Sequence, residues 1–153
     1  MGWTFGQTIE FGCGTGVNLP YYSVKVEQLT AVDWSTNMLM QAMTKQGELD
    51  AKGEIQCGKV KFVQADYLNG LPQYADGHFD CVVDTMTLSS AYDRTNQIQE
   101  MKRLCKSGGY VLLMERGASW LPLINMWLKF RAARDLMTMG AVEHLDFEEL
   151  VAK

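Results

Sequence analysis

A glycine-rich loop directly behind a short apolar run is the feature that most constrains the fold. The stretch "TIEFGCGTGVNL" places Gly12, Gly14 and Gly16 at alternate positions. Such a loop after a strand lets a ligand approach the main chain, as in the dinucleotide fingerprint G-x-G-x-x-G. Here Val17 occupies the place of the third dinucleotide glycine, and Glu10 precedes the first glycine by two residues. The loop alone predicts a nucleotide-like ligand without deciding which one.

Apolar runs alternate with helical patterns along the rest of the chain. The predicted strands are Thr8–Phe11, about Leu29–Asp33, Val60–Ala65, the valine-rich Phe79–Leu88, and Tyr110–Arg116. The predicted helices are Thr36 to about Ala51, a segment capped by Asp93 and stopped by Gly108-Gly109, about Leu121–Met139, and residues 145–153. We therefore expect one α/β domain over residues 1–153, with a doubly wound, mostly parallel sheet of about five strands.

The two central helices carry recognisable boundaries and faces. Ser35 is the expected N-cap of the first, and Pro20 allows only a short helix after the glycine loop. The predicted inner face of the first helix is Met38, Leu39, Ala42, Met43 and Leu49, and that of the second is Ile98, Met101 and Cys105.

Composition narrows the class of protein. With 47% hydrophobic and 21% charged residues over 153 positions, the chain is typical of a globular domain. A formal net charge of −4 provides no basic field that would attract nucleic acid, so we expect no nucleic-acid partner. No metal site is expected from the widely spaced Cys13, Cys57, Cys81, Cys105, His78 and His144. Four reduced thiols suit an intracellular, reducing compartment, the cytoplasm or the mitochondrial matrix.

Polar residues stand at the ends of three further predicted strands. Strand two ends at Asp33, strand three is followed by Asp66-Tyr67, and strand four contains Thr85 near its end. The carboxyl ends of parallel strands share one edge of the sheet, where ligands bind. Asp33 suits a ribose diol, whether of NAD or of an adenosyl cofactor, and Asp66 could accept an adenine amino group.

With these motifs in this order, the chain resembles class I S-adenosylmethionine-dependent methyltransferases. It is most similar to their small-molecule branch, which includes quinone-biosynthesis C-methyltransferases and membrane-associated methyltransferase-like proteins. The resemblance rests on "EFGCGTGVNLPYY", "VDWSTNML", "VQADYLNGLP", "FDCVVDTMTL" and "MKRLCKSGGYVLLME", and covers a cofactor-binding core of about residues 8–116. It implies S-adenosylmethionine as cofactor and methyl transfer to a small, apolar molecule.

The resemblance also implies a place for the methionine end of the cofactor. Gly12, Cys13, Gly14 and Gly16 would surround it, and Glu10 would orient that loop or bind the amino group through water.

At the other end of the cofactor, the resemblance assigns the ribose hydroxyls to Asp33 and the adenine ring to Trp34. Asp66 and Tyr67 would contact the adenine edge, and Thr85 would lie near the methionine portion. A dinucleotide would explain Asp33 but would leave Asp66, Glu10 and the missing third glycine without a role.

The sequence contains no obvious general base. Methyl transfer needs one only when the nucleophile must lose a proton. His144 and Tyr92 are the two weak catalytic candidates. Residues 119–153 are expected to form a substrate wall or cover helices, with peripheral membrane contact as another interpretation.

Two other functions stay open. The first is a catalytically silent methyltransferase-like subunit or assembly factor in a larger complex, and the second is a nucleotide-dependent oxidoreductase. The family's helix before strand one and its terminal antiparallel strand pair are not found in the sequence. We therefore expect a partner protein or a further C-terminal segment to cover the sheet edge at strand five.

Overall fold

A five-stranded parallel sheet forms the framework of the computed structural model, which describes residues 2–115, 121, 123, 124, 126 and 127. The strands are β1 (Gly6–Phe11), β2 (Val26–Asp33), β3 (Lys59–Gln64), β4 (Phe79–Thr85) and β5 (Cys105–Met114). The helices are α1 (Thr36–Lys52) and α2 (Arg94–Leu104), with short 3₁₀ turns at Leu19–Tyr21 and Tyr67–Asn69.

The strand order β3-β2-β1-β4-β5 confirms the predicted doubly wound α/β class. The chain moves outward from β1 in one direction and then returns to start again at β4 on the other side. The order therefore reverses between β1 and β4, and a crevice opens there at the carboxyl ends of the strands. Ile9 in β1 is paired with Val82 of β4 on one side and with Thr30 of β2 on the other, and all three are fully buried.

Helix α1 begins and ends with the signals that its sequence carries. The Ser35 hydroxyl accepts a hydrogen bond from the Met38 amide, which confirms the predicted N-cap. Gly53 ends the helix in the left-handed region, with φ +67°.

The inner face of α1 is narrower than predicted. Leu39, Ala42 and Leu49 are buried, whereas Met38 and Met43 are exposed. The two methionines lie on either side of the stripe formed by the three buried residues, so they reach solvent rather than the sheet.

The junction between α2 and β5 differs from the prediction. Helix α2 begins after its Asp93 cap as expected but ends at Leu104, and β5 starts at once with Cys105 instead of at Tyr110. The predicted helix stop, Gly108-Gly109, lies inside the strand. A Cβ on Gly109 would be 2.6 Å from the carbonyl oxygen of Asp80, so this glycine permits close approach of β4. Cys105, predicted for the inner face of the helix, is the first strand residue.

Strand β5 lies at the edge of the described sheet. Tyr110, Val111 and Met114 on this strand are exposed. Cover by a partner protein or a further C-terminal segment stays a prediction. The helices predicted at 121–139 and 145–153, and the candidate His144, fall outside the described residues except for five positions between 121 and 127. Within the described part of the chain, no helix is long and apolar enough to cross a membrane.

The central strands are expected to dominate stability. Val82→Ala removes buried methyl groups from β4, where Val82 is 0% exposed, and should lower the free energy of unfolding by about 2 kcal/mol. Val24→Ala is the matched control because Val24 is 69% exposed, and it should change stability by less than about 0.5 kcal/mol. Urea denaturation followed by circular dichroism measures both, and equal losses would contradict this account of the core.

Candidate functional site: the carboxyl edge of the sheet

The three glycines of the loop after β1 all have a left-handed backbone, with φ of +61° at Gly12, +54° at Gly14 and +71° at Gly16. A Cβ on Gly12 would be 2.2 Å from the Thr87 methyl carbon, and one on Gly16 would be 2.7 Å from Leu19 Cδ1. A Cβ on Gly14 would meet nothing within 4 Å. The outer glycines therefore allow packing within the protein, and the central one leaves the backbone open to a ligand.

Asp33 ties this loop to the end of β2. Its Oδ2 accepts a hydrogen bond from the Gly14 amide at 2.8 Å, and its Oδ1 accepts one from the Ser35 amide at 2.9 Å. The Cys13 amide donates to the carbonyl of Val32 at 3.0 Å. Each carboxylate oxygen can accept a further hydrogen bond, so Asp33 shapes the loop and keeps acceptor capacity for a ligand.

Glu10 is fixed beneath the loop by Asn18. One amide nitrogen of Asn18 donates to Glu10 Oε1 at 2.6 Å and to the Thr85 hydroxyl at 2.8 Å. Among the described residues, Glu10 Oε2 makes no hydrogen bond of standard geometry, although it is completely buried. Burial raises the pKa of Glu10, and the Asn18 amide and the nearby Tyr22 hydroxyl oppose that shift only in part. An acceptor of this kind is costly unless a donor or a cation meets it.

A cavity of about 390 Å³ opens beside the ends of β2 and β3. It is lined by Trp34, Asp66, Tyr67, Leu68, Ser90, Ala91 and Tyr92. Asp66 caps the following 3₁₀ turn by accepting from the Leu68 amide at 3.1 Å. The Tyr67 ring packs against Phe11, with ring centroids 4.9 Å apart.

This cavity unites three residues predicted for the adenine end, Trp34, Asp66 and Tyr67. The other predicted residues, from Glu10 to Gly16 together with Asp33 and Thr85, are linked around the glycine loop. Tyr92, a weak catalytic candidate from the sequence, also lines this cavity.

The structure adds polar residues that sequence reasoning missed. Asp84 is a fully buried carboxylate in the apolar run of β4, and Glu115 follows the end of β5. Asn18, which the sequence analysis does not single out, joins Glu10 to Thr85. The signal for Asp84 was available, because an acid within "CVVDT" must be paired when the strand is buried.

The geometry disfavours a pyrophosphate at the glycine loop. Dinucleotide sites place that group at the N-terminus of an α-helix. Here the loop leads into the three-residue 3₁₀ turn Leu19–Tyr21, which contains Pro20. The charged groups bonded to the loop are the carboxylates of Glu10, through Asn18, and of Asp33. Such a loop favours a cationic ligand.

Comparison with known proteins agrees with this geometry. Residues 9–113 match the family described as "Methyltransferase domain". The chain belongs to this methyltransferase family. The methyltransferase fold is also found in the solved YcgJ protein from Bacillus subtilis, with a TM-score of 0.75 at 22% identity over 97% of this chain and 59% of that one. S-adenosylmethionine is the cofactor of this family. A solved SAM-dependent methyltransferase from Methanosarcina mazei has a similar fold, with a TM-score of 0.71 at 23% identity over 94% of this chain and 74% of that one.

Curated relatives share the methyltransferase domain over part of their length. The mitochondrial methyltransferase OMS1 of Saccharomyces cerevisiae is 29% identical over 95% of this chain and 33% of its own length. The phosphatidylethanolamine N-methyltransferase of Cereibacter sphaeroides is 30% identical over 74% of this chain and 52% of its own. The chain therefore spans between a third and about half of these relatives. The predicted family, fold and cofactor are confirmed.

Substitution of Gly12 and of Gly14 should lower stability by different amounts, because the two glycines have different surroundings. Gly12→Ala drives a methyl group into Thr87 and should lower the free energy of unfolding by more than about 2 kcal/mol, because steric overlap adds to backbone strain. Gly14→Ala meets only the backbone strain and should cost about 1 kcal/mol. Chemical denaturation of both variants gives the comparison, and a Gly14 variant that loses as much stability as the Gly12 variant would refute it.

Proposed function

We propose that this chain binds S-adenosylmethionine along the carboxyl edge of the sheet and transfers a methyl group from it to a small, apolar molecule. The observation that carries the proposal is the buried Glu10 carboxylate, whose Oε2 has only the Tyr22 hydroxyl nearby among the described residues, beneath a glycine loop whose central residue is open. A cationic amino group near Glu10 would compensate the buried carboxylate, and no dinucleotide offers one at its pyrophosphate.

Each part of the cofactor has fitting residues at this edge. Glu10, held by Asn18, would bind the amino group directly or through water, and the loop from Gly12 to Gly16 would lie against the methionine chain. Asp33 would accept from the ribose hydroxyls with the lone pairs that Gly14 and Ser35 leave unused.

The adenine would occupy the cavity beside β3. The exposed indole of Trp34 offers a flat stacking surface, and Asp66 offers an acceptor for the exocyclic amine. Tyr92 lines the same cavity, which supports a role in holding the adenine rather than in proton transfer.

When bound, S-adenosylmethionine supplies a methyl group already activated on a sulfonium. The protein then has to fix the position of that group, exclude water and hold the acceptor in line with it. Thr85, fixed by Asn18 at the end of β4, would border the methionine portion. A general base is required only for an acceptor that must lose a proton.

The support for an apolar acceptor comes from the ends of β4 and β5. Met86 and Met114 are joined by a backbone hydrogen bond of 2.9 Å, and both are exposed at this edge. Methionine side chains are flexible and adapt to irregular apolar ligands. The names of the relatives include a phosphatidylethanolamine N-methyltransferase, a thiol S-methyltransferase and a demethylmenaquinone methyltransferase. These names cover different acceptors, so the methyl donor is the shared element.

The proposed compartment is reducing, the cytoplasm or the mitochondrial matrix. The four cysteines are all free thiols, and three of them are buried. The name of the yeast relative places that protein in the mitochondrion. Both observations support an intracellular location for this chain.

Calorimetry with four proteins and three ligands tests the proposal. The wild-type chain should bind S-adenosylmethionine and should show no heat with NAD. Glu10→Gln keeps the acceptor for Asn18 but removes the charge, so S-adenosylmethionine should bind about 10- to 100-fold more weakly, as for the loss of a charge-assisted hydrogen bond. Affinity for 5′-methylthioadenosine, which lacks the α-amino group of the methionine chain, should stay unchanged.

Glu54→Gln is the control for the loss of a carboxylate, because Glu54 is exposed after α1. Glu100→Gln is the fourth protein and controls for a buried carboxylate away from the loop. Tighter binding of NAD than of S-adenosylmethionine by the wild type would overturn the proposal. Equal losses for both adenosyl ligands in Glu10→Gln would move the amino group elsewhere.

A tryptophan pair tests the adenine cavity. Trp34 and Trp3 are similarly exposed, at 70% and 76%, but only Trp34 lines the cavity. Trp34→Ala should weaken S-adenosylmethionine binding about tenfold, because stacking on a base is worth roughly 1–3 kcal/mol. Trp3→Ala should leave the affinity unchanged. If calorimetry gives the same affinity for both variants, the adenine lies outside this cavity.

A further inference from the structure

Two carboxyl groups, one fully buried and one half-buried, lie where β4 and β5 end. Asp84 is completely buried one residue before the end of β4, and Glu115 follows β5 directly. Thr85 pairs with Met114, so the two acids stand at neighbouring strand ends, and each carboxyl group shifts the pKa of the other. Glu115 Oε2 is buried and accepts no hydrogen bond of standard geometry among the described residues, although the Ser89 hydroxyl is near the carboxyl group. A proton on Oε2, shared with Asp84, would satisfy both groups.

The pair is bonded to the loop that follows β4. Asp84 accepts from the Thr87 amide at 3.3 Å and from the Thr87 hydroxyl. Glu115 Oε1 accepts from the Leu88 amide at 2.7 Å. Gln97 of α2 donates to Asp84 and also to the Thr87 hydroxyl, at 2.7 Å for the latter. Both carboxyl groups therefore hold consecutive residues of one loop.

This loop reaches both ends of the proposed cofactor site. The Thr87 methyl group packs on Gly12, as the 2.2 Å approach to a Cβ there shows. Further along, Ser90 and Tyr92 line the adenine cavity. At its start, Met86 has φ +64°, a left-handed conformation that is strained for a side chain of this size. Such a conformation persists only where surrounding contacts determine it.

We propose that Asp84 and Glu115 share one proton and act as a positioning pair, which holds the loop from Met86 to Ser90 against the glycine loop while that proton is present. Neither residue is assigned contact with substrate or cofactor. The effect on cofactor affinity rests on the proposed function, whereas the proton sharing and the hold on the loop do not.

The charges around the pair set the direction of its pH dependence. Burial and the Asp84 carboxylate raise the pKa of Glu115 to about 7, and burial raises the pKa of Asp84. Glu10 of β1 adds a further negative charge near the pair. Tyr67, which follows β3, is neutral near pH 7. Arg94 of α2 is directed to the loop, because its guanidinium donates to the carbonyl oxygens of Leu88 and Ser89. Loss of the proton would put two carboxylates side by side and weaken the hold on the loop.

The free energy of unfolding should change with pH in the same direction as the hold on the loop: both decrease as the pH rises. The pKa of Glu115 in the folded protein, about 7, lies above its ordinary value of 4.5. The folded state therefore binds the proton more tightly, and the contribution of Glu115 to the free energy of unfolding falls as pH rises from about 4.5 to about 7.

A nuclear magnetic resonance titration of the free protein between about pH 5 and pH 8.5 tests the pair without a ligand. In the wild type, the ¹³C carboxyl shift of Glu115 and the amide shifts of Thr87 and Leu88 should change with a common midpoint near 7. Glu115→Gln keeps a donor for Asp84 but cannot ionise, so its Thr87 and Leu88 amides should stay constant. Glu54→Gln should behave as the wild type.

The wild-type titration decides the matter even if Glu115→Gln does not fold. Wild-type amides of Thr87 and Leu88 that do not move between about pH 6 and pH 8 would overturn the proposal. So would amides that move equally in Glu115→Gln.

Calorimetry with S-adenosylmethionine at pH 6 and pH 8 adds the cofactor. Wild-type affinity should fall about tenfold over this range, because only about a tenth of the pairs keep the proton one pH unit above the midpoint. Glu115→Gln should bind the cofactor equally at both pH values. A wild type that binds the cofactor with no pH dependence would overturn the positioning role. A wild type that shows the titration but binds no cofactor would overturn the proposed function and leave the pair intact.

Discussion

The pairing of β1 with both β2 and β4 is the constraint on which the rest of the structure depends. It makes β1 the central strand, so that its residues are buried from both faces. It also turns the chain in opposite directions from this strand, and the crevice that results brings the loop after β1 next to the ends of β2 and β4. The hydrogen bonds of Asp33 to Gly14 and of Asn18 to Thr85 exist only because the strand ends are neighbours.

Sequence patterns predicted the order of the elements and the family, because apolar runs and capping residues are local signals. Ser35 and Asp93 are examples, since each caps its helix through its own side chain. Patterns failed where a distant contact decides the outcome. The start of β5 depends on pairing with β4 and on the closeness of Gly109 to Asp80, which no local pattern contains.

In the candidate site, too, local sequence predicted some residues, whereas contacts between distant residues determined the others. The glycines and Asp33 follow from position alone, because strand ends meet at one edge. The link from Asn18 to Glu10 and the contact between Asp84 and Glu115 join residues from different strands and loops. The sequence shows that Asp84 is an acid in an apolar run, but only the structure shows that Glu115 is the neighbouring carboxyl group. Tyr92 was a weak catalytic candidate from the sequence, and in the structure it lines the same cavity as Asp66.

A single side-chain amide joins the two halves of the sheet at their ligand-facing edge, because both hydrogen bonds of Asn18 come from one nitrogen. Its conversion to aspartate, by replacement or by slow deamidation with age, would put an acid where Glu10 requires a donor. Two carboxylates would then face each other in a buried position, and the bond to Thr85 would be lost as well. Chemical ageing at this one position would therefore remove a side-chain link between β1 and β4 at the ligand-facing edge, while the backbone pairing of the two strands remains.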